Sequence, residues 1–156
     1  METTGLRQAY DVFLDELARG GFGSPPDGEW TAEQVVAHLV INDELMAQAT
    51  EAVAAGSPHA FYNHDAIHGP QLDALVADAG DLAGLAERLR RSSAALCHRV
   101  EQITPTAADT PVSTHIRDGD QIRVDQSLPW ARVIDSQQRL HLPAHTEQLR
   151  ALRPAD

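Results

Sequence analysis

The sequence predicts an all-α protein, a helical bundle of four helices with a small hairpin or structured loop before the last one. Two observations carry this reading. Alanine and leucine are plentiful while aromatic residues make up only 4% of the chain, a balance that favours helix packing over aromatic-rich strands. Long stretches also repeat apolar residues at steps of three and four, which lines one face of a helix. The 156 residues suit one domain with one sizeable core, spanning 1–156.

The first helix is expected over residues 4–18, where Leu6, Ala9, Phe13, Leu14 and Leu17 form the stripe. Glycines and the pair Pro25-Pro26 then end it, because proline cannot continue the hydrogen-bond ladder. The second helix carries the clearest start signal in the chain. Thr31 stands at the N-cap with Gln34 at N3, a capping box, and Trp30 is spaced to staple against Val35. Its stripe includes Val35, Leu39, Leu45 and Met46, with His38 one turn from Val35, and it fades near Ala55-Gly56.

Residues 56–69 form a polar connection, with room for a short helical turn, holding His59, His64 and His68, which are candidates for a further ligand or a proton-transfer group against the reading as exposed loop residues. These are read as loop histidines, since their spacing gives no common face. A long third helix is expected over 71–103, with Gly80 and Gly84 marking a bend or a close approach of a neighbour. Cys97 falls in its apolar part and reads as a small buried hydrophobe.

After a break at 104–111, Val112–Ile116 and Gln121–Val124 flank Asp118-Gly119, a hairpin signal. Such a ribbon must lean on the bundle to be stable. The fourth helix is expected from Pro129 to about residue 152, either kinked at Pro143 or made of two pieces that meet there.

The formal net charge is −11, which repels phosphate backbones and disfavours a nucleic-acid partner. No apolar run approaches the roughly 20 residues needed to cross a bilayer, so no membrane association is expected. The N-terminus carries no secretory pattern, and the lone cysteine excludes an internal disulfide. Both fit a cytoplasmic protein.

The residues that carry chemistry are histidines. His141 and His145 are four apart in the last helix, so their imidazoles point the same way and can reach one small cation. His38, from the second helix, is positioned to join them. Neutral imidazoles suit zinc, nickel or iron, and three protein ligands leave an open position for water or substrate. No Glu follows His141, so the built-in base of the His-Glu-x-x-His peptidases is missing. By spacing alone, histidines at the surface or core edge remain the competing reading.

The stretch Trp30-Thr-Ala-Glu-Gln-Val-Val-Ala-His38-Leu39, followed by His141-x-x-x-His145-x-x-Gln148-Leu149, resembles the DinB/YfiT-like superfamily. That group includes bacillithiol- and mycothiol-dependent transferases and the mycothiol-dependent maleylpyruvate isomerases, whose N-terminal domain also resembles the Ala37-His38-Leu39 region. The resemblance implies an up-down-down-up four-helix bundle with metal ligands at His38, His141 and His145. Two departures stand out. Pro143 interrupts the last ligand pair, and the C-terminal domain of the full-length isomerases is not expected here.

The implied function is that of a divalent-metal-dependent enzyme activating a low-molecular-weight thiol or water. The leading version is a thiol S-transferase using mycothiol or a similar thiol, with a small-molecule substrate. A metal-dependent hydrolase and a non-catalytic helical protein that binds metal or a small molecule are the alternatives, and a homodimer is compatible with each. Asn42, Glu33, Glu44 and Asp65 are candidates for supporting the ligands or moving protons, Asn42 with the best claim, one turn beyond His38.

Overall fold

A helix that is apolar on nearly every side must sit in the middle of a fold. Helix α2 (Ala32–Ala54) is that element, with Val35, Val36, Leu39, Val40, Met46 and Val53 all buried. Its start follows the capping-box reading: the Thr31 side chain accepts from Gln34 N–H at 3.2 Å, and Gln34 Oε1 accepts from Thr31 N–H at 3.0 Å. The computed structural model describes residues 1–57 and 59–154, so the expected boundary at 156 lies outside them.

Around α2 stand α1 (Thr4–Arg19) and α5 (Leu82–Glu101), then a rod made of α7 (Trp130–Ser136), a π turn (Gln137–His141) and α8 (Leu142–Ala151). Helix α1 buries Leu6, Tyr10, Phe13 and Leu17. Trp130, fully buried at the start of α7, donates its indole N–H to Thr50 Oγ1 of α2 at 3.0 Å. Glu16 of α1 is bound by Arg150 and Arg153, which ties the two ends of the chain together.

The all-α expectation is overturned. A three-stranded sheet in the order β1-β2-β3 is part of the fold, which is therefore mixed α and β. Strand β1 (Ala60–Tyr62) pairs in parallel with β2 (Pro111–Asp118), placing Phe61 opposite Thr114. Strand β2 pairs antiparallel with β3 (Gln121–Pro129), with a register shift between Ile116 and Arg117. The expected ribbon is thus longer than its sequence signal and joined to a third strand. Its two-residue loop is Gly119-Asp120, with Gly119 at φ +56°, the left-handed value glycine adopts without penalty. Strand β1 is only three residues long, too short for an alternating pattern to show, and its partner lies some fifty residues away.

The four-helix reading also fails in its helix count. The long third helix is two helices, α4 (Gly69–Ala79) and α5. Gly80 takes φ +85° and Asp81 caps α5, accepting from Gly84 N–H at 2.7 Å. Short helix α3 (His64–Ile67) is a helical turn within the polar connection, and α6 (Pro105–Ala108) occupies the segment read as a break.

The last helix departs in a different way. Pro143 sits in the first turn of α8, and the distortion lies just before it. Leu142 N–H bonds to Gln137 O, an i→i−5 bond that widens the turn. The wide turn accommodates Pro143, which supplies no N–H to the carbonyl of Arg139 and would otherwise crowd it. No helix among the described residues is long and apolar enough to cross a membrane.

Candidate metal centre

Three elements deliver the three histidines: His38 from the buried face of α2, His141 from the end of the π turn and His145 from the first turns of α8. Their Nε2 atoms converge. His38 Nε2 lies 2.9 Å from His141 Nε2, and His145 Nε2 lies 3.1 Å from it. The rings of His141 and His145 meet edge to face, with centroids 4.6 Å apart.

The remaining ring nitrogens fix the tautomers. His38 Nδ1 is 2.7 Å from the carbonyl of Ala66 in α3. A carbonyl only accepts, so Nδ1 carries the proton and the Nε2 lone pair faces inward. His145 Nδ1 donates in the same way to Gln148 Oε1 at 2.7 Å. This is the support that metal-binding imidazoles characteristically receive.

Burial holds all three imidazoles neutral. His38 is pushed down to about 3, by desolvation first and by His145 second. His141 falls well below its ordinary value through burial and its two histidine neighbours. His145 is also lowered by burial, with Gln148 and Asp118 opposing. Neutral imidazoles are the form that ligates a metal.

The donor set fits a divalent ion. Zinc–nitrogen bonds of about 2.0–2.1 Å in tetrahedral geometry place neighbouring nitrogens about 3.3 Å apart. The observed 2.9 and 3.1 Å require only a small spreading. If His141 Nε2 carries a proton it can donate into just one of its two contacts, leaving the other lone pair without a donor, and if it does not, both contacts set lone pairs face to face. A cation among the three converts that repulsion into attraction. Among the described residues, His141 Nδ1 is buried without a hydrogen-bond partner. A cluster of three histidines capable of holding a metal ion is therefore present.

The cluster opens onto a cavity of about 580 Å³. Trp30 walls one side, its ring 4.9 Å from that of His38 and stacked at 6.4 Å on that of His145. Phe61, Met46, Val133 and Leu140 supply apolar lining, and the bulged segment Ile116-Arg117 of β2 forms the facing wall. The sheet, of which the sequence disclosed the hairpin but not β1, thus supplies one wall of the pocket.

The supporting residues fall differently from the sequence expectation. Asn42 is buried and lines the cavity, but its Nδ2 donates to Gln137 Oε1 at 3.2 Å rather than to an imidazole. Gln137 in turn donates to Tyr10 Oη at 3.2 Å. Asn42 therefore braces the π turn that carries His141. Glu33 is half-buried in the first turn of α2, while Glu44 and Asp65 are exposed. None of those three lines the cavity. His59, His64 and His68 are exposed, and His115 pairs with Asp125 across the hairpin at 3.2 Å. Cys97 is buried and its thiol is pushed up to about 11 by desolvation, which leaves it no nucleophile.

Sequence reasoning missed Trp30, Gln148 and Arg117 as parts of the site. Gln148 was accessible in principle, since a residue three beyond His145 shares its helix face. Trp30 was assigned to a staple with Val35, and its place against two imidazoles follows only from tertiary packing.

A helical assembly with a side sheet and three histidines converging at one end of a pocket defines a class of histidine-cluster proteins built on the DinB-like plan. Residues 7–136 match the family described as the mycothiol maleylpyruvate isomerase N-terminal domain, and the chain belongs to that family. His38 lies inside the matched region, and His141 and His145 lie beyond it. Among solved structures, the fold is similar to the mycothiol-dependent maleylpyruvate isomerase, with TM-score 0.72 and 16% identity over 96% of this chain. A histidine-to-alanine mutant of that enzyme gives TM-score 0.71 and 16% identity over 94% of this chain. The chain spans only 60% and 58% of those two structures. No curated protein sequence matches it.

Proposed function

We propose that His38, His141 and His145 hold one divalent ion, of zinc, nickel or iron, and that the protein is a metal-dependent enzyme. In this reading it activates a low-molecular-weight thiol of the mycothiol type for transfer to a small electrophile. The convergence of three Nε2 atoms, two with their opposite nitrogens tied to acceptors, is the observation that carries it. Membership of a family named for mycothiol chemistry supports the choice of thiol. The free, buried Cys97 accords with a reducing cytoplasm.

When bound, a divalent ion lowers the pKa of a coordinated thiol or water. The chain's own residues do the rest. Ala66 and Gln148 orient two imidazoles, and Trp30 covers them from solvent. The π turn, braced by Gln137 and Asn42, sets where His141 points. The apolar walls receive the body of a substrate and leave the polar groups at the histidine end.

The test is metal content of the protein beside His141→Ala. One ion per chain in the parent and far less in the variant supports the site, and thiol-consumption assays with the restored metal then examine transfer. Turnover of an amide without thiol would favour a hydrolase. Metal without turnover of either kind would favour a binding protein. No uptake of zinc, nickel or iron under reducing conditions sinks the metalloenzyme reading.

A further inference from the structure

The amide of Asn42 could face the cavity with its NH2 or with its oxygen, and a chain of buried partners decides which. The chain ends on Asp43, fully buried in α2. Its carboxylate only accepts, so the Tyr10 hydroxyl donates to it. With that proton committed, Tyr10 Oη accepts from Gln137 Nε2 at 3.2 Å. Gln137 must then turn its Oε1 to Asn42, where it accepts from Asn42 Nδ2 at 3.2 Å. The same Nδ2 also donates to Met46 Sδ at 3.4 Å. A proton on Asp43 leaves the direction unchanged. The oxygen facing Ser92 can carry it, because the Ser92 hydroxyl has the Leu89 carbonyl as a second acceptor at 3.2 Å.

Both donors of Asn42 are thus spent, and its Oδ1 is left over. Among the described residues nothing donates to that oxygen. It is not sealed in either, since the enclosed side-chain atoms without a partner are Arg117 Nε and His141 Nδ1. Asn42 is only 4% exposed and lines the cavity, so the surface its oxygen keeps is cavity surface. It stands one turn beyond His38, about 5–6 Å away at Cβ. The cavity lining around it includes Met46, Phe61 and Val133. A fixed acceptor among apolar groups selects a ligand that donates, because a ligand without a donor leaves the acceptor unpaired.

We infer that Asn42 Oδ1 is a ligand-recognising acceptor of this cavity, and that the small molecule held there carries an uncharged N–H or O–H donor, such as an amide N–H, close to the histidine end. A carboxylate at the same point would meet the oxygen lone pair to lone pair and be disfavoured. That the rest of the molecule reaches a metal ion rests on the proposed function, whereas the hydrogen bond to Asn42 does not.

The probes are N-methyl-3-phenylpropionamide and methyl 3-phenylpropionate, which share one shape and differ by an N–H in place of an ester oxygen. Each is titrated into metal-free protein and followed by NMR chemical shifts, and the ratio of amide to ester affinity is compared between proteins. Asn42→Leu should lower that ratio about twofold to tenfold, the range of one neutral hydrogen bond, while still binding the ester. Tyr10→Phe keeps Asn42 but removes what sets its direction, and it should lower the ratio by part of that factor. The test therefore stands even where Asn42→Leu does not fold. His141→Ala should keep the wild-type ratio, so a failure of the metal reading leaves this result standing. The same ratio in wild type and Asn42→Leu overturns the proposal. So does an unchanged ratio in Tyr10→Phe, or no measurable binding of either probe by wild type in the millimolar range.

Discussion

Gln148 Oε1 accepts the Nδ1–H of His145 at 2.7 Å, three residues along the same helix. The contact turns the Nε2 lone pair of His145 toward His141 and opposes the fall in its pKa that burial causes. Removing such a partner from a ligating histidine typically weakens metal binding about 10–100-fold. Gln148→Ala should therefore lose zinc affinity by that order in a chelator-competition titration. The unfolding midpoint of the metal-free protein should barely move. Unchanged affinity would mean that Gln148 does not orient the ring.

The three histidines were legible because two share a helix face at four-residue spacing and the third follows a strong helix start. Local rules determine such features. The pocket around them was not legible, because its walls come from residues distant in sequence. Ala66 and Phe61 lie in a polar, histidine-rich segment whose three-residue strand pairs with residues 113–115. Neither periodicity nor propensity marks a strand that short. Pro143 announced a distortion in the last helix, but the strain is absorbed one turn earlier by the π turn, where Gln137 reaches Tyr10 and Asn42. Proline identity shows that a ladder bond is missing, whereas tertiary partners decide where the helix yields.

Asn63 should be the residue on which the bulge depends. Both hydrogen-bonding ends of its buried side chain are spent on Arg117. Asn63→Ala leaves a backbone N–H and C=O of a partly buried strand without partners, a loss of about 1–3 kcal/mol. Urea unfolding measures that cost.

The joint between α4 and α5 makes opposite demands on two glycines. Gly80 needs its positive-φ backbone, at φ +85° and ψ −43°. Gly84 needs its missing side chain, because a Cβ there would stand 2.3 Å from the carbonyl oxygen of Ala79. Gly84→Ala must push the two helices apart, an overpacking cost of about 1–3 kcal/mol. Gly80→Ala meets only the strain of a sparsely populated backbone conformation, at φ +85° and ψ −43°, about 1–3 kcal/mol. Denaturant melts should show both losses.

Asp43 sets a pH dependence independent of the histidines. It is fully buried in α2, where it accepts from Tyr10 O–H and from Ser92 O–H, the latter at 2.9 Å. Burial pushes its carboxyl from an ordinary 3.8 up to about 7, outweighing both hydrogen bonds, which act to lower it. Between those two values the folded chain keeps a proton that the unfolded chain has released. The Asp43 contribution to stability is therefore full below the lower value and is lost as pH rises through the upper one. Its slope is at most about 1.4 kcal/mol per pH unit. Asp43→Asn keeps the hydrogen-bonding shape and removes the titration. Urea unfolding of parent and variant at about pH 4 and about pH 8 should show the variant gaining on the parent toward the higher pH. Contributions shared by both proteins, those of the histidines included, cancel in the comparison. A difference that stays constant across the range would mean that Asp43 is ionised in the folded core throughout, held by Tyr10 and Ser92 against the cost of its burial.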